Sequence, residues 1–314
     1  MKILDCTLRD GGFVNDFNWD INFAKKYYQL MCSLNVHYVE LGYWKQTSKS
    51  KNRFYKLNEK DVDTITNKID KKNVCVIIDY HYCSKKIADY PKKGQSPVVM
   101  IRLTARKEDI EKAISFAEKL QDYTSLDISF QIINCTNYSK KEIDELVTKI
   151  VKINFLYVYF ADSHGNLNLM NDFYKFEKSI QIINEAGKQI GFHLHNHTDR
   201  ALLNYYFCKN NNINIIDTSI FGLGKGGGNL ALENIVGNEY LVELLIFMQK
   251  EKKHLLLNKI NYLFYKLSGR MNVTDNYATF AISKEMPLKK FSDFCLTLRN
   301  EKKDIFDKSL IENY

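Results

Sequence analysis

The sequence predicts an α/β fold, a (β/α)8 TIM barrel with a short helical C-terminal extension. Three observations carry that expectation. Short β-branched runs alternate with longer amphipathic stretches from Met1 onward, and repeats of this kind over about 250 residues are the barrel pattern. Polar residues gather where successive strands would end. No G-x-G-x-x-G turn follows an early strand, which counts against the rival doubly wound open sheet.

The elements follow in order. Strands are expected at Met1–Cys6, Tyr38–Gly42, Val74–Asp79, Val98–Leu103, Ile128–Asn134, Phe155–Ala161, Gln189–His195 and Ile213–Ser219, where apolar and β-branched residues run together. Helical spacing of apolar residues marks Asn22–Leu34, Glu59–Lys68, a short Cys83–Asp89, Lys107–Gln121, Lys140–Lys152, Asn171–Ala186 and Arg200–Asn210. A glycine-rich loop after Ser219 leads into a further helical stretch, Leu232–Met248. The barrel is thus expected over residues 1–249 and the extension over 250–314. Within the extension His254–Leu267 and Leu288–Arg299 read as helices and Ser268–Asn276 as loop. The extension is too short for a full core, so it is expected to dock on the barrel or on another subunit.

Composition narrows the class. The 314 residues are 45% hydrophobic and 26% charged with only 3 Pro and 14 Gly, which excludes disordered and fibrous chains. The net charge of +8 comes from 45 basic residues, of which seven are arginine. Lysines spread beside acidic partners, with few of the arginines that favour bidentate phosphate and base contacts, argue against nucleic-acid binding. The seven cysteines are scattered without a C-x-x-C pair, as expected of reduced core residues. No apolar run reaches the ~20 residues of a bilayer span, and no apolar leader follows Met1. The expectation is a cytoplasmic protein with no membrane partner.

The candidate chemistry lies at the strand ends, the catalytic face of such barrels. Asp5, Arg9 and Asp10 follow the first strand, Glu40 ends the second, and Asp79 and His81 mark the third. Arg102, Asn134 and Asp162-Ser163-His164 fall at the next three, and His193, His195 and His197 at the seventh. In a strand, residues two apart share a face, so His193 and His195 can reach one ion. Two imidazoles and a carboxylate with open positions suit a divalent metal that also holds substrate. The loop Gly222-Leu223-Gly224-Lys225-Gly226-Gly227-Gly228-Asn229 lies where barrels often bind phosphate through loop amides and a helix N-terminus.

Leu4-Asp5-Cys6-Thr7-Leu8-Arg9-Asp10-Gly11-Gly12 resembles the D-x-T-L-R-D-G signature of the DRE-TIM metallolyase superfamily, most closely its 4-hydroxy-2-oxovalerate aldolase and hydroxymethylglutaryl-CoA lyase branch. Glu40, Asp162-Ser163-His164-Gly165, His193-x-His195 and Gly228-Asn229-x-x-x-Glu233 resemble further motifs of the group, in the right order. The resemblance implies a divalent ion, Mn or Mg, on Asp10, His193, His195 and Asn229. It implies an enolate-stabilising Arg9, tuned by Glu40, and a 2-oxo acid as substrate with an aldehyde as reaction partner. Ser163, Arg102 and Asn134 are the expected substrate-binding residues.

Two features depart from the group. The aldolases place a histidine base shortly after L-R-D-G, where this chain has Gly12-Phe13-Val14-Asn15. His164 is therefore expected to serve as base, with His81 and Tyr43 behind it. In the extension only Asn276-Tyr277-Ala278 resembles the region by which those aldolases dock an aldehyde dehydrogenase, so a homodimer is expected instead. The alternatives are a Claisen-type acyltransferase using acyl-CoA, disfavoured because the synthases read T-L-R-D-G-E-Q, and a degenerate metal-binding barrel acting as a regulator or scaffold.

Overall fold

A computed structural model describes residues 1–34, 36–47, 51–67, 73–237, 239–250 and 259–314. Eight parallel strands close into a barrel in chain order: β1 Lys2–Asp5, β2 Tyr38–Tyr43, β3 Val74–Asp79, β4 Val98–Ala105, β5 Asp127–Ile132, β6 Tyr157–Asp162, β7 Gln189–Leu194 and β8 Ile215–Thr218. Closure is made by β1 on β8, with Leu4 paired to Asp217. The helices between strands are α1 Ile21–Ser33, α2 Glu59–Thr66, α3 Ile110–Thr124, α4 Lys140–Ile150, α5 Leu169–Asp172, α6 Glu177–Glu185, α7 Ala201–Asn210 and α8 Glu239–Lys250. The extension adds α9 Lys259–Arg270, α10 Asp275–Ser283, α11 Leu288–Thr297 and α12 Lys308–Glu312.

Local chemistry explains several boundaries. The Asp20 carboxylate accepts the backbone N–H groups of Asn22 and Phe23 at the start of α1, satisfying donors that a helix start leaves orphaned. Asn58 with Asp61, and Ser139 with Glu142, form reciprocal capping boxes on α2 and α4.

The expected helix Asn171–Ala186 is interrupted between α5 and α6. Phe176 turns in against Phe160 and Phe192, with ring centroids 5.0 and 5.9 Å away. Leu232–Met248 is likewise a short 3-10 turn, Leu232–Asn234, followed by α8, because Gly237 lies between them. Cys83–Asp89 shrinks to the 3-10 turn Ile87–Asp89. The first residues of the expected His254–Leu267 helix lie outside the described residues. Of the expected loop Ser268–Asn276 only Met271–Thr274 is irregular, because α9 runs to Arg270 and α10 starts at Asp275.

The period-two rule organises the core. Outward residues such as Val39, Val76, Ile101, Phe130, Phe160, Phe192 and Ile216 pack under the helices. Inward residues form a lower apolar layer of Leu4, Cys75, Met100, Tyr157, Tyr159 and Ile215. Gly191 is part of that fit: a Cβ there would lie 2.5 Å from the Tyr159 ring. Two residues further along the strands the inward layer turns polar, with Glu40, Arg102, Gln131, His193 and Asp217 all buried.

The extension has a small apolar cluster around Phe264, Val273, Tyr277, Phe291 and Phe294 and also contacts the barrel through Asn272 and Asp275. All seven cysteines are buried and free. Among the described residues no helix is long and apolar enough to cross a membrane.

Candidate metal centre

The chain turns sharply after β1, with the Asp10 N–H donated to the Cys6 carbonyl at 2.7 Å. This brings Asp10 to the barrel mouth opposite the end of β7. One Asp10 oxygen lies 4.0 Å from His193 Nε2 and 3.9 Å from His195 Nε2, and the two Nε2 atoms are 3.1 Å apart. The three side chains are buried and their ligand atoms lie within 4.8 Å of one another.

Asn229 arrives from the loop after β8, which pairs with the end of β7: Leu230 N–H donates to the Leu194 carbonyl at 3.0 Å and Asn196 N–H to Gly228 at 2.7 Å. Asn229 Nδ2 donates to Asp10 at 2.7 Å.

Each ligand is held from behind. Arg9 bonds Asp10 through Nη1 and donates from Nε to Glu40 at 2.6 Å. The other Glu40 oxygen accepts from Arg102 Nη1 at 2.9 Å. Arg102 Nη2 donates to Asp217 at 2.6 Å and to Gln131 at 3.0 Å. His193 Nδ1 donates to Asp217 at 2.9 Å, which closes the circuit Asp10–Arg9–Glu40–Arg102–Asp217–His193. Because a carboxylate only accepts, Asp217 fixes the proton on Nδ1 and leaves the Nε2 lone pair facing Asp10.

Electrostatics agree with this arrangement. Burial opposes charge on Asp10, yet Arg9, the imidazoles and Asn229 hold its carboxyl below the usual carboxylate range. Burial and the neighbouring His193 push the His195 imidazole well below its ordinary value, so it is neutral and able to ligate. Two guanidinium groups face three carboxylates in the circuit, a net negative charge that favours a cation.

The residues fit a divalent ion. Besides the converging Nε2 atoms, buried Asn229 Oδ1 has no hydrogen-bond partner among the described residues, and an amide oxygen is a suitable ligand for a hard cation.

The glycine-rich loop is built differently from the expected phosphate site. Several of its amides already have partners: Lys225 N–H donates to Asp10 at 3.2 Å, Gly228 N–H to the Lys225 carbonyl at 3.2 Å and Asn229 N–H to the Gly222 carbonyl at 2.8 Å. The 3-10 turn that follows is too short to present a helix N-terminus. The glycines allow close packing on the ligands instead, since a Cβ on Gly224 would lie 2.4 Å from Asn229 Nδ2 and 2.7 Å from Asp10 Oδ2. Gly224→Ala should therefore weaken Mn2+ binding by at least ~10-fold, the scale of disturbed ligand support, measurable by calorimetric titration of the folded variant.

Two expected site residues have surroundings that the sequence did not reveal. Arg102 is fully buried, with its guanidinium bonded to Glu40, Asp217 and Gln131. His164 is also buried; its Nδ1 lies 2.9 Å from Asn272 Oδ1 and its Nε2 3.6 Å from Asp304. Both partners belong to the extension, so His164 ties that extension to the barrel.

Ser163 and Asn134 do meet at the rim, where the Asn134 N–H donates to Ser163 Oγ at 3.0 Å. Sequence reasoning missed Asp217, although a carboxylate at an inward position beside Ile215 and Ile216 was a readable signal.

A family model described as HMGL-like matches residues 1–245. The chain belongs to the HMGL-like family. It thereby falls in the DRE-TIM metallolyase superfamily, whose membership supports a metal-dependent lyase or aldolase activity, or a related one.

Solved structures share the fold of this HMGL-like chain. The N-terminal domain of a candidate aldolase from Bacteroides vulgatus is 21% identical, with 96% of this chain and 98% of that chain covered and a TM-score of 0.62. Hydroxymethylglutaryl-CoA lyase from Bacillus subtilis is 14% identical over 81% of this chain and 93% of that one, at a TM-score of 0.57. The carboxyl transferase domain of Rhizobium etli pyruvate carboxylase is 13% identical, with 99% and 64% covered and a TM-score of 0.64.

Proposed function

We propose that this HMGL-like chain is a divalent-metal-dependent aldolase or lyase that forms or cleaves the carbon–carbon bond beside the enolate of a pyruvate-type 2-oxo acid. The observation that carries the reading is the closed buried circuit that aims Asp10, His193 and His195 at one point with Arg9 alongside. A divalent ion held there supplies Lewis acidity toward the keto oxygen.

The chain's own residues supply the rest. Arg9 commits Nε and Nη1 to Glu40 and Asp10 and leaves Nη2 for the oxygen on which enolate charge develops. A guanidinium fixed in advance needs no reorganisation as that charge appears. Ser163 and Asn134 are the groups for the substrate carboxylate.

Tyr43, half-buried at the end of β2, takes the acid–base role left open by His164. Burial raises its phenol above the ordinary range, with Arg9 and Asp10 among the charges it feels. It is therefore a proton donor suited to the alkoxide formed in the aldol direction.

The test is incubation with pyruvate and a panel of aldehydes, in parallel with pyruvate and acetyl-CoA, followed by NMR and free-thiol assay. An aldol product without thiol release is expected. Thiol release without any aldol product would replace this reading with Claisen condensation.

A further inference from the structure

His197 lies two residues beyond His195, and its surroundings are unusual. Four glycines wall its ring: a Cβ on Gly165 would lie 2.6 Å from its Cγ, on Gly226 2.7 Å from its Nε2, on Gly227 2.8 Å from its Cδ2, and on Gly269 2.8 Å from its Cβ. They come from three separate segments, namely the turn after β6, the loop after β8, and α9 of the extension. Gly165 and Gly226 also have left-handed φ of 61° and 64°, which favours glycine in any case, whereas Gly227 and Gly269 have no such φ and their missing side chains make room for this imidazole.

Its contacts show what the place is for. His197 Nε2 lies 3.2 Å from His195 Nδ1 and 3.4 Å from the Lys225 carbonyl. Lys225 in turn donates its N–H to Asp10 at 3.2 Å, and its ammonium pairs with Asp275 of α10 at 2.6 Å. Asp275 is buried, and its second oxygen has no hydrogen-bond partner among the described residues. That oxygen and His197 Nε2 both lie within 3 Å of the place a Gly226 Cβ would take.

We propose that the extension holds the metal centre in shape through this route: Asp275 fixes Lys225, whose N–H holds Asp10, while the glycine cage seats His197 so that its Nε2 accepts from His195 Nδ1 and leaves His195 Nε2 free to ligate. Asp275 and His197 are then positioning residues, and the barrel's ligands are fully oriented only with the extension in place. Groups behind a metal ligand commonly set its affinity 10–100-fold. The inference rests on the metal-centre reading, and its test separates the two.

The experiment is calorimetric titration of the full chain with Mn2+, with a melting curve for each variant. His197→Ala and Asp275→Asn should each bind Mn2+ ~10–100-fold more weakly than wild type, with His197→Gln recovering much of the loss. Should either of those variants fail to fold, Lys225→Met, altered at a partly exposed side chain, reads the same route. Asn272→Ala serves as the control, because Asn272 ties the extension to His164 and Asn166 away from Lys225. It should lower the melting temperature and leave Mn2+ affinity at the wild-type value.

Unchanged affinity in His197→Ala and Asp275→Asn, or an equal loss in Asn272→Ala, would overturn the proposed route. Failure of the wild-type chain to bind any divalent ion would overturn the metal-centre reading itself.

Discussion

Replacing His193 with alanine should abolish tight divalent-metal binding and all turnover while the barrel stays folded. His193 contributes one of two converging Nε2 atoms, and the remaining pair, Asp10 and His195, stands 3.9 Å apart with a gap beside it. Loss of groups merely behind a ligand already costs 10–100-fold in affinity, so loss of the ligand itself should exceed ~100-fold. The fold should survive because Asp217, the partner of His193 Nδ1, keeps its ion pair with Arg102 at 2.6 Å. Calorimetric Mn2+ titration beside circular dichroism checks both parts. Full metal-dependent activity in His193→Ala, or in Asp10→Ala, would remove these residues from the site.

The second large effect concerns stability. Arg102→Met should destabilise the chain by ~3–5 kcal/mol, the usual cost of breaking a buried ion pair and leaving charge unmatched. Arg102 is fully buried and is the link between Glu40 and Asp217. Its guanidinium also lies 4.5 Å from the centre of the Tyr159 ring. Methionine fills the volume but leaves Glu40 with Arg9 alone and Asp217 with His193 alone as partners among the described residues of the barrel interior. Arg102→Lys should recover only part of the loss, since an ammonium cannot bridge Glu40, Asp217 and Gln131 as a planar fork does. Urea denaturation decides the matter: a loss under ~1 kcal/mol would mean the carboxylates find other compensation.

The barrel was readable from the sequence because each strand is a compact β-branched run and each helix keeps its apolar stripe. Val74–Asp79 begins and ends where expected, and β7 differs from its expected span by one residue. His193 and His195 were legible from strand parity, whereas Asp10 and Asn229, on loops, were legible only through the motifs they resemble.

Depth along the barrel axis was not legible. Arg102 and Glu40 read as strand-end residues, but register sets them one inward layer below the rim, where a guanidinium serves neighbouring carboxylates. The surroundings of His164 were hidden for a related reason. A histidine after D-S faces either the mouth or the element that covers it, and only the docked extension, through Asn272 and Asp304, shows which. Helix α10 escaped notice because its start, Thr274-Asp275-Asn276, carries the polar residues that turns also use.

The most direct test of the account is proton–deuteron exchange at C3 of pyruvate and of a few larger 2-oxo acids, followed by NMR. Enolate formation should appear as exchange that requires added Mn2+ or Mg2+, stops with EDTA, and is lost in Arg9→Ala. Exchange with no 2-oxo acid, by protein shown to bind the metal, would contradict it.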